Sequence, residues 1–221
     1  MKSFSCLWRN ALFGSSTIAL VMVIFCINAC NNQNPKNLNK QGIEVMKAGN
    51  NKKAIEIFSR VLENDSLFLP ALFNRAIART NEMDQQGALR DLNRVIARQK
   101  KSTNALFNRA IIFENLGRYK EAFNDYCKIT KLNPKNRRAW HYRGICQYYL
   151  KNYSLAHKDY STAIKMGLNS SAVFYNRAVA AHCMGQWDKA IEDYSRALRI
   201  DPGLKRAEKA REILTFGLTQ K

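Results

Sequence analysis

Cysteine is scarce in this chain, six in 221 residues, which excludes a disulfide-built scaffold. Acid is scarce too: 17 Asp+Glu stand against 36 Lys+Arg, for a formal charge of +19 and a pI near 9.9. Such an imbalance favours anionic neighbours, whether nucleic acid, acidic lipid or acidic protein, without choosing among them. Long apolar runs are missing. The uninterrupted stretch at residues 18–27 is about half of what a bilayer-spanning helix needs, so a multi-span membrane protein is excluded. With 46% hydrophobic and 24% charged residues, a wholly disordered chain is excluded as well. Catalytic signatures are also lacking. There is no Ser-His-Asp ordering in a nucleophile context, no glycine-rich phosphate loop and no zinc spacing. His141 and His182 have no companion ligands, so no metal, cofactor or enzymatic activity is expected.

What is present begins at the N-terminus. Lys2 and Arg9 precede the short apolar run, Ser15, Ser16 and Thr17 interrupt it, and it closes on Ile27-Asn28-Ala29-Cys30 before the polar Asn31, Asn32, Gln33 and Asn34. This ending resembles a bacterial lipobox, with Asn28 a departure from the usual second slot. The resemblance implies that residues 1–29 are a lipoprotein signal peptide and that Cys30 is acylated, at the head of a short linker over residues 30–36. A plain secretory signal and an uncleaved anchor are the alternatives. Several acyl chains, at about 0.8 kcal/mol per buried CH2, would hold the mature chain on a membrane. Asn31 is not an aspartate, which resembles the signal for transfer to an outer membrane, so the expected location is lipid-anchored in the envelope on the periplasmic face of that membrane. Loss of Lys2 and Arg9 leaves +17, so the basicity is exported with the chain and a nucleic-acid partner is not expected.

The remainder repeats. Ala54, Ala88, Ala122, Ala156 and Ala190 are each 34 residues apart and each opens a run with helical apolar spacing. Four residues on stand Phe58, Leu92, Tyr126, Tyr160 and Tyr194, and three further Val61, Val95, Ile129, Ala163 and Ala197. Twelve residues before each alanine is a small residue, Gly42, Ala76, Ala110, Gly144 or Ala178, where two helices can approach closely. Gly49, Gly117 and Gly185 mark the inter-helix turns, and Pro134 and Pro202 the ends of second helices. The pattern resembles the tetratricopeptide repeat (TPR) over residues 35–204, in five units at 35–68, 69–102, 103–136, 137–170 and 171–204. Ser66, Lys100 and Leu168 replace the usual proline, and Met83 and Lys151 a usual turn glycine. The implied fold is all-α, a right-handed superhelical solenoid of five helical hairpins with a capping helix and tail at 205–221.

Arg75, Arg109, Arg143 and Arg177 precede the small residue in units two to five, and Asp91, Asp125, Asp159 and Asp193 follow sixteen residues later. Unit one has Gln41 and Ile57 in these slots. Antiparallel helices would bring each arginine opposite its aspartate, so structural salt bridges within each hairpin are expected; an arginine ladder for an acidic ligand is the alternative.

In this family the inner wall is lined by the first helix of each hairpin. The sites here hold Phe73, Phe107, His141 and Tyr175, then Asn74, Asn108, Tyr142 and Asn176, then Ile77, Ile111, Ile145 and Val179, with Thr80, Glu114, Tyr148 and His182 a turn beyond. Asparagines can bond the backbone of an extended peptide and aromatic faces can hold its side chains. Phe73 and Phe107 could equally pack between hairpins. The lysine that grips a chaperone-type C-terminal carboxylate is absent. The expected function is a membrane-tethered adaptor that binds peptide segments of envelope proteins. A structural subunit of an outer-membrane assembly machine is the alternative. Arg90, Arg94, Arg98, Lys100 and Lys101 form a basic ridge, read as a solvated face or a lipid-facing one. Cys127, Cys146 and Cys183 are expected as buried thiols, with oxidation of a pair of them in an exported compartment as the alternative.

Overall fold

The computed structural model describes residues 34–219, and within them every regular element is a helix. The expected signal peptide and Cys30 lie outside the described residues. Ten helices pair into hairpins: α1 Pro35–Lys47 with α2 Asn51–Asn64, α3 Leu69–Asn81 with α4 Gln85–Arg98, and α5 Thr103–Asn115 with α6 Tyr119–Leu132. α7 Arg137–Tyr149 pairs with α8 Tyr153–Lys165, α9 Ser171–Cys183 with α10 Trp187–Ile200, and α11 Lys205–Thr219 follows. No described helix is long and apolar enough to cross a membrane.

The chain forms two compact units that divide within α4, after Asp91. In the first unit, α1 packs on α2 and α2 on α3. α2 is amphipathic, burying Ala54, Ile57, Phe58, Val61 and Leu62 at three- and four-residue spacing. In the second unit each helix from α5 to α11 packs on the next, and α7 also meets α9. α5 buries Ala105, Leu106, Ala110, Ile112 and Phe113, a set that covers more than one side of the helix.

Helix ends follow local chemistry. Ser102 Oγ accepts from Ala105 N at 3.4 Å, Asn136 Oδ1 from Ala139 N at 3.1 Å and Ser170 Oγ from Val173 N at 3.4 Å, capping α5, α7 and α9. At every hairpin turn one residue takes the left-handed conformation: Gly49, Met83, Gly117, Lys151 and Gly185, with φ of 85°, 62°, 70°, 62° and 71°. Met83 and Lys151 therefore adopt the backbone that glycine supplies elsewhere, at a steric cost to their Cβ. Small residues serve the close approach. A Cβ on Gly42 would lie 2.5 Å from Phe58 Cε1, and one on Gly144 2.7 Å from Tyr160 Cε1.

Candidate functional site

The arginines and aspartates meet inside each hairpin. Arg109 Nε donates to Asp125 Oδ2 and Nη2 to Oδ1, both at 2.7 Å. The same two-pronged bond joins Arg75 to Asp91, Arg143 to Asp159 and Arg177 to Asp193, at 2.6–2.8 Å. All four carboxylates are buried. Sequence reading missed a second feature of these arginines. The remaining guanidinium nitrogen Nη1 crosses to the preceding hairpin's second helix, where Ser59 Oγ accepts from Arg75 at 2.9 Å, Asn93 Oδ1 from Arg109 at 2.7 Å, Thr130 Oγ1 from Arg143 at 3.2 Å and Ser161 Oγ from Arg177 at 3.2 Å. Each guanidinium thus closes its own hairpin and fastens it to the one before. Arg79 Nη1 adds a further bond to Asp91 Oδ2 at 2.7 Å.

The residues expected to line a groove are all partly exposed: Phe73, Asn74 and Ile77 in the first unit, and Phe107, Asn108, Ile111, His141, Tyr142, Tyr148, Tyr175 and Asn176 in the second. In the first unit Asn74 Nδ2 donates to the buried Asn39 Oδ1 at 3.2 Å. In the second, Phe107 sits edge-on to Tyr142 at 5.3 Å and to Tyr126 at 5.5 Å, with the Arg138 guanidinium 5.3 Å over its ring. Phe107 is therefore neither free lining nor core: it packs on its inner side and remains accessible. His141 Nε2 accepts from Asn176 Nδ2 at 3.0 Å and is thus unprotonated, in accord with burial that pushes the imidazole down to about 4. Tyr175 lies under Arg206 of α11, 4.4 Å from its ring centre. Tyr148 tilts against Tyr153 at 5.6 Å, beside Tyr119 and Tyr149 stacked at 4.1 Å.

The asparagines also bond within the protein: Asn74 and Asn176 each spend an amide N–H on the preceding hairpin, and Asn108 Nδ2 bonds the Asn104 carbonyl of its own helix at 2.9 Å. The expectation of three buried thiols needs revision. All are free, but only Cys146 is buried, while Cys127 is half-buried and Cys183 exposed, because they occupy different helix faces.

Cys146 Sγ donates to Glu114 Oε1 at 3.5 Å, and the fully buried Tyr126 hydroxyl lies beside the same carboxyl, close enough to act on it but without a well-formed hydrogen bond. Burial pushes the Glu114 carboxyl up to about 7. No group of three or more His, Cys, Asp or Glu side chains suited to a metal occurs among the described residues.

Comparison with known proteins places this geometry in a class. Residues 103–136 and 171–204 each match a family described as Tetratricopeptide repeat, and these spans coincide with α5–α6 and α9–α10 with their flanking turns. The fold is that of TPR solenoids. It resembles a tetratricopeptide repeat protein from Parabacteroides merdae at 21% identity and a TM-score of 0.74, over 84% of this chain and 73% of that one. YrrB, described as a TPR protein with an unusual peptide-binding site, matches at 16% identity and 0.73, over 82% and 94%. MamA from Desulfovibrio magneticus matches at 13% and 0.72, over 77% and 96%. No curated protein matches by sequence.

Proposed function

We propose that this protein is a lipid-anchored adaptor of the cell envelope that docks extended peptide segments of other envelope proteins on the face built by its first helices. The observation that carries the reading is the partly exposed wall of rings and amides in α5, α7 and α9, which offers large rigid contact area and hydrogen-bonding groups. The description of YrrB as a peptide-binding TPR protein supports the peptide as the ligand class. Cys30 supplies the tether, and the outer membrane's periplasmic leaflet is the proposed location.

The test is capture of partners from detergent-solubilised membranes, comparing the wild type with Phe107→Ala plus Tyr142→Ala. Loss of the captured proteins in the double variant is expected, whereas unchanged capture would refute the groove as the binding surface. Cys30→Ser should release the protein from the membrane fraction; its retention there would refute the lipid tether.

A further inference from the structure

Glu114 is out of keeping with its surroundings. It is the acidic member of a wall otherwise made of rings, amides and aliphatic chains, in a protein with more than twice as many basic as acidic residues. The other carboxylates repeated along the hairpins each have a guanidinium. The groups acting on Glu114 are a thiol and a hydroxyl, and no Lys or Arg is among them. From α6 it is faced by the Tyr126 hydroxyl and, further off, by Tyr119; from α7 by the Cys146 thiol. These groups can donate to an ionised carboxylate. Tyr126 is fully buried, and its hydroxyl lies beside the Glu114 carboxyl without a well-formed hydrogen bond to it. Native structures seldom leave a buried hydroxyl so weakly held, which marks the half-exposed carboxyl above it as a candidate site.

We propose that Glu114 receives one lysine or arginine side chain of the docked segment, with Tyr126 and Cys146 as positioning residues that hold the carboxylate from below. This deepens the peptide-binding reading and rests on it. An arriving cation ionises Glu114, whose carboxylate then accepts the Tyr126 O–H and the Cys146 thiol from inside and the cation's N–H groups from the open side. Binding is coupled to proton release, because the carboxyl gives up its proton when the cation arrives.

The experiment is selection of random dodecapeptides on the immobilised protein, followed by fluorescence anisotropy on the enriched sequences. The wild type is expected to select peptides with a lysine or arginine at one position. Replacing that residue by norleucine should weaken binding about tenfold or more, as should Glu114→Gln with the original peptide. Affinity of the wild type for the basic peptide should fall about tenfold between pH 8 and pH 6, where the ionised fraction drops, and Glu114→Gln should lose this dependence. Tyr126→Phe, which withdraws a donor from the ionised form, should move the midpoint of the wild-type profile to higher pH. Enriched peptides that need no basic residue would overturn the cation site and leave peptide binding standing. No enrichment at all would overturn both. Should Glu114→Gln fail to fold by circular dichroism, the norleucine comparison on the wild type decides the matter by itself.

Discussion

Arg109 and Asp125 invite a double-mutant cycle whose outcome the first hairpin already foreshadows. The Asp125 side chain is 2% exposed and takes two bonds from Arg109 at 2.7 Å, while that arginine, 16% exposed, reaches Asn93 with its third nitrogen. Arg109→Gln leaves a buried carboxylate with only the longer 3.7 Å contact to Lys128 Nζ; Asp125→Ile leaves a largely buried guanidinium with Asn93 as its remaining hydrogen-bond partner and the Phe113 ring 5.7 Å away. Breaking a buried pair in this way costs about 3–5 kcal/mol, a large part of the about 5–15 kcal/mol that holds a typical domain. Changing both residues is different. Gln41 and Ile57 occupy the equivalent slots of α1 and α2, with Ile57 only 6% exposed, so the scaffold accommodates an uncharged pair there. The double variant is expected to lie within about 1–1.5 kcal/mol of the wild type, the residue being the lost bond to Asn93. Urea unfolding followed by far-ultraviolet circular dichroism gives the three differences, and hydrogen exchange should place the loss in the third hairpin and its neighbours. Single variants that each cost less than about 1 kcal/mol, or a double variant whose cost is the sum of the singles, would refute the reasoning.

Met83→Gly and Lys151→Gly should each stabilise the fold by about 0.5–1 kcal/mol, the relief of a left-handed residue less the entropy of glycine, as read by urea midpoints. Gly144→Ala should cost about 1–3 kcal/mol in the same assay, since its Cβ would meet Tyr160 at 2.7 Å and the Ala156 carbonyl oxygen at 3.2 Å. Two groups of the wall should give opposite pH dependence. Glu114, pushed up to about 7, keeps its proton when folded while the unfolded carboxyl near 4.5 has lost it, so its contribution falls as pH rises from about 4.5 to 7; His141, pushed down to about 4 from 6.5, stays neutral when folded, so its contribution rises with pH over about 4 to 6.5. Relative to the wild type, Glu114→Gln should therefore gain stability and His141→Gln lose it as pH is raised from 5 to 6, each by at most about 1.4 kcal/mol per unit, and an unchanged profile in either variant would contradict the burial argument.

Most of the backbone was legible because stacked hairpins impose one geometry at one period. The five alanines, the residues four positions beyond them and the small residues before them had to recur every 34 positions for helices to approach and stack, and a column-by-column reading finds them. The same reading placed Met83 and Lys151 in the turn slot, where the fold demands a left-handed residue whatever the side chain. The arginine–aspartate pairs were legible because they vanish together in unit one. The third arginine bond was not, because its acceptor is Ser59, Asn93, Thr130 or Ser161, three chemical types at two sequence offsets, with no recurring letter to find.

The wall was read less well, and the reason lies in the offset at which neighbouring hairpins touch. Columns compare residues 34 apart, but the contacts along the wall join residues 35 apart: Asn39 with Asn74, Phe107 with Tyr142, and His141 with Asn176. At that offset the chemistry matches, amide with amide, ring with ring, and an imidazole nitrogen with an amide N–H. Read down a column, the same residues form mixed series such as Phe73, Phe107, His141 and Tyr175, which look like a varied lining free to serve a ligand. Read along the contacts, Phe107 and His141 are each already committed on one side to a partner in the next hairpin. Replacing one member alone therefore changes the wall's own packing as well as its outer surface. Phe107→Ala exposes Tyr142, and Tyr142→Ala exposes Phe107, so a loss of binding in either single variant does not separate contact from support. Changing matched pairs while keeping their complementarity, as in His141→Asn, which leaves an amide oxygen to accept from Asn176, alters the face presented to a ligand and preserves the seam behind it.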